Sequence, residues 1–391
     1  MTTLRILTLN CWGKPLPFIY EDLCDRIGAI GDEISKRDYN LVILEKVWLS
    51  SDYKKLCDKI CPVLPYSHYF YSGMLGSGCC VFSKFPIRET MYYRFSLNGF
   101  AHKIWHGDWY AGKGVGLCKM VIDGLHINLY SSDTHTRYSR NFDEYAAHRV
   151  AQSFEISQFI KQTSEACDLV ILAGDLNSEP SDLNYKLILT NGNLRDCWID
   201  KEMTYSDAAG NTCALPYNNY TSAADKKEYP FGKRIDYIMY RANPGVKVFV
   251  EEASVIMGRI LGTPFHYSKH ESLKAVLRIE QFSDVVYPVD DQYSERNKHL
   301  LEAFELINNG LQQSRLSGDC YLFQSLLQSF LMITFVIMIQ NEPQVPPFFQ
   351  IINYGWTLIT AFYFWTGAVV MKTDENSFLG IKLDIANAIA N

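Results

Sequence analysis

The sequence predicts an α/β domain built on mixed sheets, followed by two apolar segments long enough to cross a membrane. The first two-thirds of the 391 residues alternate short β-like runs with helix-like runs, and hairpin signals join some of the β-like runs. Hairpins mixed with helical crossovers are typical of packed mixed sheets with helices outside, rather than of a purely parallel barrel. Between Cys320 and Met371 the only formal charge is Glu342, which marks a segment in a different environment.

The elements of the α/β domain follow from local patterns. Residues 5–9 form a strand candidate, and residues 21–36 carry apolar residues at helical spacing. Residues 41–44 are a short apolar run between polar residues, which is typical of a buried strand. Asp123-Gly124 is a hairpin signal, and the runs on its two sides are its strands. A second helix is predicted over 142–161, and the other predicted strands are 79–82, 117–122, 125–130, 169–173, 235–240, 246–250 and 272–279.

Two apolar runs near the end of the chain predict a transmembrane hairpin. Residues 321–339 and 348–371 are long enough to span the hydrocarbon core of a bilayer at about 1.5 Å per residue. The short proline-containing segment 340–347 between them permits only a tight turn, so both ends of the hairpin lie on the same side. The alternative is a pair of helices buried in the core of a soluble protein.

These segments divide the chain into four predicted parts. Residues 1–285 form the α/β domain, and residues 286–318 form a linker with an amphipathic juxtamembrane helix over 295–313. Residues 319–372 form the hairpin, and residues 373–391 form a cytosolic tail. Three basic residues flank the hairpin: Arg315, Lys372 and Lys382. The loop of the hairpin contains no basic residue. By the positive-inside rule, we expect an integral membrane protein whose large domain faces the cytosol.

Charge and cysteine usage restrict the function further. The formal net charge is −6, so no basic excess is present to displace the counterions of nucleic acid. We therefore expect no nucleic-acid partner, which argues against a nuclease. The eleven cysteines are scattered, and the N-terminus lacks the apolar core of a secretory signal, so we expect reduced thiols. Cys57 and Cys61 could be half of a metal site, but no second pair stands at zinc-site spacing.

Several polar residues stand at the ends of predicted strands. Asp175 and Asn177, in Ala-Gly-Asp-Leu-Asn, point the same way out of the sheet and could hold a metal-bound phosphate and a water. The same Asp-x-Asn pattern also forms ordinary turns. Asn10 ends the first strand. Asp236 opens a later strand, where it could orient another polar group or pair with its neighbour Arg234.

His270 completes this set, and the motifs together resemble a known superfamily. A lone histidine just before an apolar run is more often structural than catalytic. In their order, however, Asn-Cys-Trp-Gly, Leu-Glu-x-Val-Trp, Gly-Asp-Leu-Asn, Arg-Ile-Asp-Tyr and Ser-x-His-Glu resemble the DNase-I-like phosphodiesterases. Within that superfamily, the double span and further motifs resemble the neutral sphingomyelinase family: Gly76-Ser77-Gly78, Val81-Phe82-Ser83-Lys84, Asn98-Gly99, His106-Gly107-Asp108-Trp109, Gly112-Lys113 and Ala147-His148-Arg149-Val150-Ala151-Gln152.

The resemblance covers essentially the whole chain and implies a fold and a reaction. The fold is a four-layer α/β/β/α sandwich. The reaction is the Mg²⁺-dependent cleavage of sphingomyelin, a membrane phospholipid, to ceramide and phosphocholine. The resemblance further implies that Asn10 and Asp175 lie on the metal side, that Asp175 and Asn177 hold water and phosphate, and that His270, oriented by an aspartate, is the base. His135 is then counted among the catalytic residues.

One pair of residues and one histidine belong to the same pattern. The resemblance implies that Asp108 and Lys113 form a switch near the active site, and the alternative is a surface ion pair worth about 0 to 1 kcal/mol. His148 lies in a helical run, where it could approach the site or be a satisfied surface histidine. We group Asp108, Lys113 and His148 with Asp236 as substrate-binding or switch candidates.

Three positions depart from the family's pattern. Lys46 stands where a metal-binding carboxylate is expected, and the neighbouring Glu45 should face the other side of its strand. An ammonium about 4 Å from Mg²⁺ would be repelled by several kcal/mol at an effective dielectric constant of about 20. Lys269 stands where the carboxylate before the base is expected, and losing an orienting carboxylate costs about 10⁴ in rate in serine proteases. Asp133 replaces the first histidine of a Thr-His-x-His motif.

These departures leave two functions open. The first is a membrane-anchored neutral sphingomyelinase. The second is a catalytically impaired paralogue that binds phospholipid headgroups or a protein partner. A Lys46 ammonium in the metal's place could neutralise phosphate by itself, which would preserve headgroup binding but not the normal metal chemistry.

Overall fold

The computed structural model describes residues 1–13, 22–139, 143–201, 209–282, 293–340 and 347–390. The strands in these ranges are β1 (Thr2–Asn10), β2 (Leu41–Glu45), β3 (Tyr66–Tyr69), β4 (Cys80–Ser83), β5 (Ile87–Arg94), β6 (Gly114–Ile122), β7 (Leu125–Asp133), β8 (Leu169–Asp175), β9 (Arg195–Asp196), β10 (Asp236–Ala242), β11 (Val246–Ile256) and β12 (Ser272–Gln281). The helices are α1 (Leu23–Ser35), α2 (Ser50–Ile60), α3 (Asp108–Ala111), α4 (Ala146–Thr163), α5 (Leu183–Gly192), α6 (Cys197–Asp200), α7 (Ala223–Glu228), α8 (Tyr293–Gln340), α9 (Pro347–Trp365) and α10 (Lys372–Ala390), with a 3₁₀ turn at Ile104–His106 and a π-helical turn at Thr366–Met371.

The strands form two six-stranded mixed sheets. The first has the order β11-β12-β1-β2-β4-β3 and the second the order β5-β6-β7-β8-β10-β9. Each sheet contains one parallel pair, β1–β2 in the first and β7–β8 in the second. A parallel pair needs a crossover between its strands, which α1 and α4 supply. The carboxyl ends of these four strands meet at one edge, where Asn10 at the end of β1 contacts Asp175 at the end of β8.

The two sheets enclose an apolar core, and helices cover their outer faces. Buried residues of both sheets share one cluster, for example Ile43 of β2 and Ile171 of β8. Ile27 of α1 packs on the outer face of the first sheet, and Ile188 of α5 packs on that of the second. The layer order is therefore α/β/β/α, which confirms the predicted sandwich.

The predicted strands and helices of this domain are present, with ends shifted by a few residues. At the predicted hairpin, Asp123 and Gly124 have φ of +51° and +83°, as a type I′ turn requires. The strands that the sequence pattern missed include β3 and β5, which lie at sheet edges. Edge strands carry polar, exposed residues and so lack the apolar pattern of a buried strand. The start of the predicted linker, residues 286–292, lies outside the described residues.

The C-terminal part is more continuous than the sequence pattern indicated. Helix α8 runs for 48 residues without a break, across the predicted boundary between the juxtamembrane helix and the first span. Its first half packs on α4 and α5 through Leu300 and Ile307. Residues 372–390, most of which were predicted as a cytosolic tail, form α10, which adds Phe378 and Ile385 to the same cluster.

One described helix is long and apolar enough to cross a membrane. The stretch Ser294–Ile339 has a mean hydropathy of 2.0 over its most apolar 18-residue window, of which only 6% is buried. The second apolar run forms α9, which lies antiparallel to α8, with Ser325 donating a hydrogen bond to the carbonyl of Thr360 at 3.4 Å. Large apolar side chains of the pair are exposed, including Phe330 and Phe364, which argues against two buried core helices.

Two residues of α10 differ in burial, and this difference makes the packing of α10 testable. Ile385 is fully buried in the cluster with α8, whereas Leu383 is 66% exposed. We expect Ile385→Ala to lower the free energy of unfolding by about 2–5 kcal/mol and Leu383→Ala to change it by about 0.5 kcal/mol or less. Urea unfolding of the detergent-solubilised chain, followed by circular dichroism, measures both. Equal losses would contradict the docking of α10 on α8.

Candidate active site at the carboxyl edge of the sheets

Asn10 and Asp175 join the two sheets at the centre of the site. Nδ2 of Asn10 donates a hydrogen bond to Oδ2 of Asp175 at 2.7 Å, and Oδ1 of Asn10 accepts one from the N–H of Trp12 at 2.9 Å. Gly174, just before Asp175, has φ of +146°, and a Cβ there would lie 1.9 Å from the carbonyl oxygen of Ser132. Only glycine permits this approach of β8 to β7, which explains the Gly-Asp pair.

Asn177 lies beside Asp175, as the sequence predicted. Its φ is +45°, and its N–H donates to Oδ1 of Asp175 at 3.0 Å, so the two residues form an Asx turn. Nδ2 of Asn177 donates to the carbonyl of Thr134 at 3.0 Å and to Oδ1 of Asp133 at 3.3 Å. The amide therefore points toward the end of β7.

His270 and Asp236 form a buried pair next to Asp175. Asp236 opens β10 opposite Asp175 in the antiparallel register. Nδ1 of His270 donates to Oδ2 of Asp236 at 2.9 Å, and the hydroxyl of Thr212 donates to the same carboxylate at 2.5 Å. Burial alone would lower the pKa of His270, but the carboxylate of Asp236 raises it well above its usual value. Asp236 thus orients the imidazole and leaves its Nε2 free of that contact.

Lys269 does not occupy the orienting position, which corrects the sequence prediction. Its Nζ lies 2.8 Å from Oδ2 of Asp225 on α7, and both side chains are partly exposed. The orienting carboxylate comes from Asp236 on another strand instead. Adjacency in the sequence was misleading because Lys269 pairs with Asp225, whereas the neighbouring His270 contacts Asp236.

Lys46 reaches the site through an unusual backbone conformation. Strand β2 ends at Glu45, and Lys46 has φ of +57°, a left-handed conformation that costs a non-glycine residue about 1–2 kcal/mol. Two hydrogen bonds hold it. The N–H of Gly13 donates to the carbonyl of Lys46 at 3.1 Å, and the N–H of Val47 donates to the carbonyl of Gly78 at 2.9 Å. Strand β2 therefore ends before Lys46, so the alternation of side chains along a strand, on which the sequence prediction relied, does not apply to Lys46.

The ammonium of Lys46 lies between two aspartates. Its Nζ is 3.4 Å from Oδ2 of Asp175 and 4.0 Å from Oδ1 of Asp133. Burial alone would lower the pKa of Lys46, but the two carboxylates raise it above its usual value. Burial alone would raise the pKa of Asp175, but the Lys46 ammonium holds it below its usual value. Two of the three departures from the family pattern, Lys46 and Asp133, thus face each other as an ion pair.

Glu45 is buried beneath this cluster. Its Oε1 accepts a hydrogen bond from the hydroxyl of Thr8 at 2.6 Å, and in β2 it is the register partner of Asn10. Burial raises the pKa of Glu45 well above its usual value, and the charges of Asp236 and Asp175 add to this rise. Glu45 is therefore close to the site, contrary to the expectation from strand alternation.

Asp108 and Lys113 form a buried pair rather than a surface pair. Nζ of Lys113 is 2.8 Å from Oδ1 of Asp108 and 3.1 Å from Oδ2 of Asp133. Oδ2 of Asp108 lies 3.6 Å from Nε2 of His135. The side chains of Asp108, Lys113, Asp133 and Lys46 therefore alternate in charge along a line that leads to Asp175.

The two predicted histidines of this region are buried behind that line. The ring of His135 stacks on Tyr145 with centroids 3.9 Å apart, and burial lowers the pKa of His135 to about 4. His148 packs on Phe100 and Phe378, and neither of its nitrogens has a hydrogen-bond partner among the described residues. Burial lowers the pKa of His148 to about 3. His148 is therefore a buried aromatic contact and not a surface histidine.

One group of side chains among the described residues could hold a metal ion. The ligand atoms of Asp175, Asp236 and His270 lie within 4.8 Å of one another and offer two carboxylate oxygens and one ring nitrogen. Asn10, which the sequence predicted on the metal side, lies next to this group through Asp175. Cys57, considered above as half of a metal site, is a free thiol beside the hydroxyl of Ser67.

Sequence reasoning missed Thr212 and the role of Ser268. Ser268 donates to the carbonyl of Asn10 at 2.6 Å and accepts the N–H of His270 at 3.2 Å, so it fixes the base loop to the end of β1. Its place in Ser-x-His-Glu was a usable signal. Thr212 lies 24 residues from Asp236, and no local pattern marks it.

Comparison with known proteins defines first a class and then a family. Residues 7–256 match the endonuclease/exonuclease/phosphatase family. Sphingomyelin phosphodiesterase 2 of Homo sapiens is 37% identical over 80% of this chain and 74% of its own length. The Rattus norvegicus protein of the same name is 36% identical over 87% of this chain and 81% of its own. The chain therefore belongs to the endonuclease/exonuclease/phosphatase family and, within it, to the neutral sphingomyelinases.

Solved structures agree with this fold. Sphingomyelinase C from Streptomyces griseocarneus has a TM-score of 0.52 at 20% identity and covers 71% of this chain and 99% of its own. A mutant of beta toxin from Staphylococcus aureus, crystallised with bound magnesium ions, has a TM-score of 0.50 at 20% identity and covers 70% of this chain and 99% of its own.

The burial of His148 predicts that the fold is sensitive to acid. A histidine in the unfolded chain binds a proton near pH 6.5, whereas folded His148 does so only at about pH 3. Between these values the unfolded state binds more protons, so stability falls as the pH drops through this window. At pH 5 this cost is about 2 kcal/mol, and we expect His148→Phe to remove most of it.

Urea unfolding of the native chain and of His148→Phe at pH 7.5 and pH 5 measures the effect. His126→Phe, at an exposed position, is the matched control, and its free energy of unfolding should fall with pH as that of the native chain does. Because the pKa of His135 is also lowered, some acid sensitivity should remain in His148→Phe. An equally steep loss in His148→Phe and the native chain would contradict this role of His148.

Proposed function

We propose that the protein is a membrane-anchored phosphodiesterase that cleaves sphingomyelin, or a related choline phospholipid, to ceramide or the corresponding lipid alcohol and phosphocholine. The observation that carries this proposal is the buried His270–Asp236 pair, 2.9 Å apart, next to Asp175 and Asn177 at the strand ends. The names of the relatives, which include sphingomyelin phosphodiesterase 2 of Homo sapiens, support the choice of substrate.

In the proposed reaction, His270 is the general base. Asp236 holds Nδ1 of the ring, so Nε2 can accept a proton from a water molecule. The water oxygen forms a bond to phosphorus, and the bond from phosphorus to the lipid oxygen breaks. The lipid oxygen takes a proton from solvent as it leaves, and His270 afterwards releases the proton that it accepted to solvent, so that protons balance. Asp175 and Asn177 orient the water and the phosphate group.

We propose a supporting role for the residues behind this centre. Lys113 is buried between Asp108 and Asp133, and His135 lies against Asp108. These groups hold Asp133 in place and do not themselves contact the phosphate. His148 acts one layer further away, through packing alone.

The family suggests a divalent metal, and the sequence resemblance implies Mg²⁺. A metal would meet Asp175, Asp236 and His270 in this chain. Mg²⁺ prefers oxygen ligands in near-ideal octahedral geometry. Nδ1 of His270 already binds Asp236. Oδ2 of Asp175 accepts a hydrogen bond from the amide of Asn10 and also contacts the ammonium of Lys46. This donor set does not fit Mg²⁺, and no step of the proposed reaction passes through a metal ion.

Phospholipid-headgroup binding without turnover is the second candidate function. The observation that favours it is Lys46, which stands where the family has a metal-binding carboxylate and which places an ammonium 3.4 Å from Asp175. Such a site would still attract a phosphate group. Without the charge of a divalent ion, the developing charge on the phosphate oxygens would be stabilised less in the transition state.

We further propose that α8 and α9 anchor the protein in a membrane, with the large domain on the cytosolic side. The exposed apolar side chains of the helix pair support this proposal. Basic residues lie beyond its ends, where Arg315 of α8 and Lys372 of α10 both contact Glu375. The acidic net charge of −6 supports the absence of a nucleic-acid partner.

The proposed reaction predicts different effects for three substitutions. We expect His270→Gln to lower the release of phosphocholine from sphingomyelin vesicles by about 10² to 10⁴, the usual contribution of a general base. Asp236→Asn should lower it by up to about 10⁴, because the imidazole loses its orienting partner. Lys269→Gln, the matched control beside the base, should stay near the native rate because Lys269 pairs with Asp225 outside the site.

The assay separates the two candidate functions. A loss in Lys269→Gln as large as that in Asp236→Asn would contradict the assignment of the orienting carboxylate. A native chain that binds phosphocholine in detergent micelles but releases none from sphingomyelin would exclude turnover and favour headgroup binding.

The proposed anchor predicts where a charge is tolerated on α8. Phe330 and Leu301 are both exposed on this helix, but only Phe330 lies in the apolar run of residues 321–339. A central arginine costs a membrane span about 2.5–3.5 kcal/mol, so Phe330→Arg should reduce the fraction that stays in carbonate-washed membranes. Leu301→Arg should not. Deletion of residues 320–371 should release the protein, and full release of the native chain by carbonate would refute the anchor.

A further inference from the structure

We propose that the Lys46 ammonium is the resident cation of the active site and binds the phosphate of the lipid headgroup directly. Phosphate binding by this protein then does not require a divalent metal. The inference rests on the proposed function, because it names the group that holds the phosphate of that substrate. Its support comes from the position of the ammonium, the surroundings of Asp133 and the exposure of Lys46.

The position of the ammonium disfavours a metal ion on the same oxygen. Nζ of Lys46 lies 3.4 Å from Oδ2 of Asp175. Mg²⁺ binds carboxylate oxygen at about 2.0–2.1 Å, so an ion on that side of Oδ2 would lie within a few ångströms of a like charge. The ammonium and the metal therefore compete for one carboxylate. The strained left-handed backbone of Lys46, φ +57°, is what turns its side chain toward this oxygen.

Asp133 acts as a counter-ion for Lys46 rather than as a group facing substrate. An acid here, where the family has an imidazole, would repel phosphate if its charge were unpaired. Oδ1 lies 4.0 Å from Nζ of Lys46 and accepts a hydrogen bond from Asn177 at 3.3 Å. Oδ2 lies 3.1 Å from Nζ of Lys113. The charge of Asp133 is therefore offset on both sides, and the carboxylate helps to fix Lys46.

Lys46 is the lysine of this cluster that a ligand can reach. Its side chain is 16% exposed, whereas that of Lys113 is 2% exposed. An ammonium has three N–H donors, so the contacts with Asp175 and Asp133 leave one for a phosphate oxygen. Asp175 also lies within 4.8 Å of His270 by its ligand atom. A phosphate group on Lys46 is thus within reach of the proposed base.

Binding of phosphocholine to the full-length chain in detergent micelles, measured by calorimetry, tests the proposal. The native chain should bind with the same Kd, within about twofold, in excess EDTA and in excess Mg²⁺. Lys46→Met loses a charge-assisted hydrogen bond and should bind phosphocholine about tenfold to a hundredfold more weakly than the native chain. Lys46→Arg should retain most of it. Lys269→Met, which removes a lysine paired outside the site, is the matched control and should bind as the native chain does.

A charge reversal gives a second readout. Lys46→Glu should lose phosphocholine binding in EDTA and regain it when Mg²⁺ is added, because a carboxylate replaces the ammonium. If Lys46→Met fails to fold, Lys46→Met/Asp133→Asn removes both charges of the contact and takes its place. Native binding that requires Mg²⁺, or native-like binding by the folded Met variants, would overturn the proposal.

The outcome is separate from that of the proposed function. A native chain that binds phosphocholine in EDTA without cleaving sphingomyelin supports Lys46 as the cation and contradicts the proposed hydrolysis. A native chain that cleaves sphingomyelin and binds phosphocholine only with Mg²⁺ supports the hydrolysis and contradicts the role of Lys46.

Discussion

The hydrogen bond from Asn10 to Asp175 joins the two sheets at the edge where the site forms. Asn10 ends β1 in one sheet and Asp175 ends β8 in the other, and their atoms lie 2.7 Å apart. Both side chains are fully buried, so removing either partner would leave a buried polar group unpaired at a cost of about 1–3 kcal/mol. The ammonium of Lys46, the turn at Asn177 and the register of Asp236 all depend on the position of Asp175.

The buried charges of the site occur in contacting pairs of opposite sign. Lys113 lies between Asp108 and Asp133, Lys46 lies between Asp133 and Asp175, and the His270 imidazole faces Asp236. A buried charge without a partner is costly, so a change at one position of such a line requires a change at another. This explains how a lysine at position 46 and an aspartate at position 133 coexist in an intact fold.

The sandwich packs on the helix that carries the apolar run. The first half of α8 packs on α4 and α5, and within residues 293–340 the helix continues without a break into the apolar run 321–339. Phe378 of α10 belongs to the cluster beneath α8 and also contacts His148. Packing therefore connects α8 and α10 to the layer behind the active site.

From apolar periodicity, which is local, the sequence by itself predicted packed mixed sheets with helices outside, and the motif resemblance implied the four-layer order. Asn10, Asp175, Asn177 and His270 could be proposed for the site because they belong to short motifs at strand ends. It could not determine the edge strands β3 and β5, which lack that periodicity. Only the tertiary structure decided that Asp236, 34 residues from His270, contacts its imidazole, while Lys269 pairs with Asp225. It also decided, through one left-handed φ angle, that Lys46 points at Asp175. Contacts between distant segments and single backbone angles leave no periodic trace in the sequence, so they are settled only when the chain is folded.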